Sequence, residues 1–501
     1  MSRVQGLLMS ELGRHCGQSE PPHTERIMSL LFRRIVMVVT VGVFAACEGN
    51  VSSEPYDLVI LGGRVVDPES SLSALRNIGI RNGLIEAVSE DYLDGASVID
   101  ATGHVVSPGF IDLHEHGQSE LEYGLMVRDG VTSAFELEVG TGDVEQWYAE
   151  RASGQYVNYG VSIGHIKARM AVLNDPSESL LPAGVGGSGR ATGDQIAAME
   201  VMVRQGLEEG AVAVGFGSAY TPGAEMDEIE QMFTVAAEYG ASAHIHIRGG
   251  GAGLDSTIAS ARRAGVALHV VHVNSSAGGA LNTFLASIET AQGAGQDVTT
   301  EAYPYRAGMT EIQSALFDNW ADWPEERFAT RQLVSTGERL TRESFARARE
   351  EGGYVIMYDR TEELTQAAVA SPLTIIASDG FMEGGRGHPR TSGSYSKILG
   401  RYVRDLGVLT LEEALAKMTI MPARRLEARV PAMAKKARLQ VGADADLTVF
   451  DPITVIDRST YVDATIPAEG VPYVIVAGQV VVSRGDLTGQ RPGRQIRAPT
   501  Q

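Results

Sequence analysis

The sequence predicts an α/β protein: a closed (β/α)8 barrel of the TIM type with a small β-sandwich built from the segments before and after it. Three observations carry this prediction. Residues 105–428 alternate eight apolar strand candidates with amphipathic helices. The flanking segments, 56–105 and 429–490, show short period-two runs broken by Gly, Asp and Pro instead. Histidines and acids that an apolar strand does not need recur at the C-terminal strand ends, where a barrel of this kind carries its active site.

The first 47 residues read as a targeting segment. Arg33 and Arg34 precede an apolar run from Ile35 to Ala46, too short to cross a bilayer, and Met28 is a candidate start. Phe44-Ala45-Ala46-Cys47 resembles a bacterial lipoprotein processing site, which would leave Cys47 as the lipidation residue. A plain secretory signal cleaved near Ala46 is the alternative. Both place the folded body outside the cytoplasm, in the periplasm or cell envelope, touching a membrane only through a lipid anchor.

The folded part opens with strands at Tyr56-Leu61 and Arg64-Val66 about a Gly62-Gly63 turn, then Asn77-Ile80 and Leu84-Val88. The barrel strands follow at 105–113, 132–139, 159–166, 212–215, 242–247, 267–273, 297–302 and 373–378, within a catalytic unit of 106–428. Residues 306–370 exceed an ordinary connection and predict an insertion acting as a lid. Thr410-Leu411-Glu412-Glu413 is a capping box opening a further helix. Leu439-Asp451 and Tyr473-Val482 then return to strand punctuation.

Composition narrows the function. At 501 residues the chain can bury a large core, and its formal net charge of -21 argues against a nucleic-acid or anionic-membrane surface. Its two cysteines, Cys16 and Cys47, precede the folded part, so neither a disulfide framework nor a cysteine metal site is available there.

The strand ends hold the chemistry. His114 and His116 alternate on the first strand, so both point to one face. Glu136 and Glu138 share a face of the second, and Lys167 follows the third. The fifth ends in His244 and His246, then Arg248. The sixth carries His269 early and ends in His272 and Asn274, and the eighth ends in Asp379. Five of eleven histidines thus fall at three strand ends, which suits a zinc site of imidazoles and carboxylates. His246 lies nearer the strand end than His244, which reads as structural. His269 reads as a core residue, His104 as a surface one, and Glu115 as pointing away from the site.

PGFIDLHEH, HIHIRGGG, VHVNSSA, EAYPYRAGMT, ASDG, GHPRTSGSYSKILGRYVRD and GADADLTVFDP, in this order across residues 56–490, resemble the amidohydrolase superfamily. YPY, HPR and the TPG segment make the likeness closest to its D-aminoacylase branch, the N-acyl-D-amino-acid deacylases. The resemblance implies that His114 and His116 hold one metal and His246 and His272 a second, with one or two zinc ions in use. Some relatives bridge the metals with a carboxylated lysine or a cysteine. Here Glu138 is the favoured bridge, with Glu136 and Lys167 as rivals. Asp379 would be general base and acid toward metal-activated water, and Arg390 would clamp a substrate carboxylate. Tyr220 and Tyr303 would line the carboxylate or polarise the carbonyl, and His388 would orient the Arg390 loop.

The departures concern substrate. Asn274 stands where the branch often has lysine, Arg306 and Met309 follow YPY, and Arg248 adds a cation. The expected function is zinc-dependent hydrolysis of a small N-acyl amino acid with a free carboxylate, of D configuration. A dipeptidase, a cyclic-amide hydrolase and an inactive binding protein on the same scaffold are the alternatives.

Overall fold

The computed structural model describes residues 54–500, so the expected targeting segment and Cys47 lie outside the described residues. Eight parallel strands pair in sequence order: Phe110–Asp112, Val131–Thr141, Asn158–Gly164, Ala213–Gly217, Ser242–His246, Leu268–Val270, Val298–Ala302 and Thr374–Ile376. They are almost wholly buried, because helices cover them outside and side chains fill them inside. Hydrogen bonds just past the strand ends close the ring. Asp379 N donates to His114 O at 2.8 Å, and His116 N to Gly380 O at 2.9 Å. The fold is therefore a TIM barrel.

The flanking segments form one nine-stranded sheet, joined where Val105–Pro108 pairs antiparallel with Leu447–Phe450. Its core is aliphatic, with Leu58, Ile60, Val65, Ile78, Ile99, Val106, Leu447 and Ile475 facing inward. Gly62-Gly63 is not a turn between two strands. It is a bulge within one twelve-residue strand, Tyr56–Asp67, with Gly62 at φ 69°. The bend lets the first half pair with Gly95–Asp100 and the second half with Val105–Pro108. The predicted strand at 105–113 likewise divides, its first part joining this sheet and its second the barrel.

After the seventh strand the chain makes a three-stranded antiparallel sheet of Gly308–Glu311, Tyr354–Met357 and Arg331–Leu333. Helix Arg342–Glu351 packs on it through an aromatic cluster of Phe317, Trp323, Phe328 and Phe345. Helix Glu362–Ala370 falls inside the expected 306–370 insertion, yet it sends Ala368 into the barrel core and so serves the barrel. The last residues also carry structure the sequence reading left out. Ile496 N donates to Tyr159 O at 2.7 Å, and Ile496 and Ala498 pack beneath the barrel with Ile111 and Phe135.

Candidate metal centre and substrate cavity

The second strand departs from regular pairing where the site needs it. Glu136 pairs with Val161 and Thr141 with Ile163, so residues 137–140 together oppose Ser162. This wide bulge turns on Gly140, at φ 67°, where a Cβ would lie 2.4 Å from Ser162 Oγ. Glu136 holds the bulge by accepting from Val139 N at 3.0 Å and Gly140 N at 3.2 Å. Glu138 is thereby carried into the centre of the barrel mouth. The two acids do not act as equivalent neighbours on one strand face: Glu136 shapes the loop and Glu138 enters the site.

Glu138 faces four histidines. Its Oε2 lies 2.7 Å from His114 Nε2 and 3.2 Å from His116 Nε2, while Oε1 lies 2.9 Å from His246 Nδ1 and 3.8 Å from His272 Nε2. Asp379 Oδ1 lies 3.5 Å from both His114 and His116 Nε2. Two donor groups result, His114–His116–Glu138–Asp379 and Glu138–His246–His272, sharing one carboxylate.

The donor set fits divalent metal. The Nε2 atoms of His114 and His116 approach to 3.0 Å, while each ring's Nδ1 meets a carboxylate, Glu301 for His114 and Glu136 for His116, both at 2.5 Å. A carboxylate on Nδ1 fixes the proton there and leaves the Nε2 lone pair free for a cation. Burial opposes charge on both rings, yet the surrounding carboxylates raise their pKa well above the usual imidazole range. Burial would likewise push Glu138 up, and the histidines hold it well below the carboxylate range. Four imidazoles with the Glu138 and Asp379 carboxylates make a donor set that a divalent cation fits.

Asp379 sits at φ 53°, in the left-handed region, as the chain turns out of the eighth strand. Its Oδ2 lies 2.7 Å from Arg390 Nη1. Burial raises its pKa, but Arg390 and the histidines outweigh this and hold it down to about 2. Arg390 is buried, with Nε lacking a hydrogen-bond partner among the described residues. His388 Nδ1 accepts from Arg390 N at 3.1 Å, which ties the histidine to the Arg390 turn.

Tyr220 stacks edge-on against His246 at 4.6 Å between ring centres, and Tyr303 borders His272. Both line a cavity of about 230 Å³ that opens from the metal donors beneath the insertion.

Two expected participants are elsewhere. Arg248 directs Nη1 to Thr221 O at 3.1 Å and Nη2 to Ala224 O at 2.8 Å, bracing the loop after the fourth strand, and does not line this cavity. The third strand ends at Gly164, so Lys167 lies on helix His165–Leu173 and donates to Ser179 O at 2.7 Å rather than meeting the donors. Of the remaining histidines, His269 pairs Nε2 with Glu301 at 2.9 Å, and His244 rests against Ser242 and His269 inside the barrel. Glu115 accepts from Ser378 Oγ and Gly117 N, away from the donors.

Sequence reading missed Glu301 and Arg360. Glu301 offers the same signal that singled out Glu138, an acid in an apolar strand. Arg360 offers none, because it reaches the site only through the folding of the insertion.

The amidohydrolase family matches residues 184–482. N-acyl-D-glutamate deacylase of Alcaligenes xylosoxydans xylosoxydans is 31% identical over 89% of this chain and 97% of its own length. D-aminoacylase of the same organism is 29% identical over 89% and 98%. Among solved structures, N-acyl-D-glutamate deacylase from Bordetella bronchiseptica, in complex with zinc and a phosphonate mimic of the tetrahedral intermediate, matches with a TM-score of 0.76. It is 28% identical, over 89% of this chain and 100% of that one. With the barrel, the bulged second strand and the shared-carboxylate donor set, these likenesses place the chain in the amidohydrolase family.

Proposed function

We propose that this protein is a zinc-dependent hydrolase of linear amides that removes the acyl group from N-acyl-D-amino acids. The observation that carries the reading is Glu138, one carboxylate offering a separate oxygen to each of two histidine pairs. Likeness to two deacylases over nearly their full lengths supports the substrate class.

His114, His116, Glu138, His246 and His272 would hold the metal, and zinc bound there supplies Lewis acidity toward an amide carbonyl and acidifies water. Asp379 presents Oδ1 to the donor group while Arg390 holds Oδ2. It takes a proton from water at Oδ1 and returns it to the leaving nitrogen. Arg390 receives the substrate's α-carboxylate, for which its unpartnered Nε is a ready donor. Tyr220 donates to the scissile carbonyl oxygen. Burial raises its phenol well above the usual tyrosine range, so the proton stays in place. Tyr303 contacts the substrate carboxylate beside Arg390, whose guanidinium lies 4.9 Å from its ring centre.

The leader supports a lipoprotein exported from the cytoplasm and anchored at Cys47. Replacing Cys47 with Ser then moves the protein from the membrane to the soluble envelope fraction. Unchanged fractionation rejects the anchor.

The deciding experiment supplies zinc to the metal-stripped protein and screens N-acyl-D-amino acids, N-acyl-L-amino acids, L-dipeptides and cyclic imides by amine release. Turnover of the D-series, lost with the metal, is the expected result. Turnover confined to L-dipeptides or cyclic imides rejects the reading. Protein that binds no zinc and hydrolyses nothing is a binding scaffold.

A further inference from the structure

The outer part of the substrate cavity is lined by three arginines, all from the insertion: Arg327, Arg331 and Arg360. Arg331 is neutralised by Asp359 at 2.5 Å. Arg360 pairs with no carboxylate among the described residues. Two neutral hydroxyls hold it, Nη1 donating to Ser275 Oγ at 3.0 Å and Nη2 to Tyr303 Oη at 2.6 Å, while its Nε is buried without a partner. Its guanidinium carbon lies 5.1 Å from the Tyr303 ring centre, and that of Arg390 4.9 Å, so one ring lies close to two cations. Arg390 has Asp379 as counter-ion, and Arg360 has none among the described residues. A cation fixed this firmly in a part-buried cavity is poorly solvated, and an anion beside it gains more than in bulk water. On the barrel side Asn274 is neutral, donating to Tyr303 O at 3.0 Å and leaving its own Oδ1 buried and unpaired among the described residues.

We infer that Arg360 is a specificity-determining residue that binds a second carboxylate on the substrate, the first being held by Arg390. The inference rests on the deacylase reading and narrows it to dicarboxylic N-acyl amino acids. The second carboxylate comes from the amino-acid side chain or from the acyl group, and the two sources present the same chemistry to a guanidinium.

The test compares N-acetyl-D-glutamate, N-succinyl-D-leucine and N-acetyl-D-leucine on the zinc-loaded wild type, Arg360→Met and Arg360→Lys. The wild type is expected to favour one dicarboxylic substrate over N-acetyl-D-leucine, and the one favoured identifies the source. In Arg360→Met that preference, as a ratio of kcat/KM values, falls about 10- to 100-fold, mainly through KM, and Arg360→Lys restores part of it. A wild type that prefers N-acetyl-D-leucine to both others overturns the inference, as does an equal loss on all three substrates in Arg360→Met.

Calorimetric titration with glutarate and butyrate separates this from the reading beneath it. Glutarate binding more tightly than butyrate to the wild type but not to Arg360→Met supports Arg360 whatever the reaction. That result without any N-acyl-D-amino-acid turnover refutes the deacylase reading alone, and equal binding of the two acids to the wild type refutes the inference.

Discussion

The barrel mouth and the insertion above it border one cavity but are built on different physical principles. At the barrel mouth three of the functional groups are locked by charged partners: Glu301 behind His114, Glu136 behind His116 and Arg390 behind Asp379. The insertion is held by an aromatic cluster and presents arginines, one of which has only hydroxyls for company. Chemistry is thus assigned to a frame of paired charged groups, and selection, on the inference above, to a separately packed layer with an unpaired cation. Changes in the first should act on kcat and metal, and changes in the second on KM and substrate choice.

The largest break should come from Asp379→Asn. It keeps the side-chain shape but cannot move the proton, so kcat should fall about 10²- to 10⁴-fold with the far-ultraviolet dichroism unchanged. Undiminished turnover would refute the proton role.

Phe345→Ala strikes the other side. Phe345 is fully buried in the aromatic cluster, and its truncation should cost the insertion about 3–5 kcal/mol of packing. Proteolysis should then cut first within 312–355, and KM should rise while zinc stoichiometry stays fixed. Loss of zinc in this variant would show that the two layers are not separable.

A third experiment uses pH. Asp129 accepts from Tyr395 N at 2.8 Å and Ser396 N at 2.9 Å in the helix that begins at Arg390. Burial raises its pKa from 3.8 to about 7, against the pull of those bonds. A raised folded pKa means its stabilising contribution is complete below about pH 4 and is lost as pH climbs to 7. Relative to Asp129→Asn, the wild type should lose stability across that window, on the order of 4 kcal/mol at most, and no further above it. Urea melts at pH 5, 7 and 8.5 measure this, and parallel curves for the two proteins would contradict it.

The smallest effect is expected of Glu301→Gln, which keeps a hydrogen-bonding group on His114 Nδ1 but removes its charge. Zinc affinity should weaken about 10- to 100-fold in chelator competition, with the dicarboxylate preference unaltered.

Much of the barrel site was legible because its signals are local. His114, His116, His246, His272 and Asp379 stand out as polar residues closing apolar runs, and Glu138 as an acid inside one. What escaped depends on geometry that periodicity does not carry. Period-two alternation treats Glu136 and Glu138 as equals, whereas the bulge at 137–140 divides their work. Arg248 adjoins His246 in sequence, yet its guanidinium is turned back onto the Thr221 and Ala224 carbonyls. Arg360 is remote from every barrel motif and arrives only when the insertion folds over the mouth.

The closing seam of the barrel has a consequence for assembly. His114 and Asp379 meet across the seam between the first and eighth barrel strands, far apart in the chain, so the acid reaches the metal donors only when the ring is closed. Proton transfer by Asp379 therefore reports a completed ring, whereas zinc held by the other donors does not.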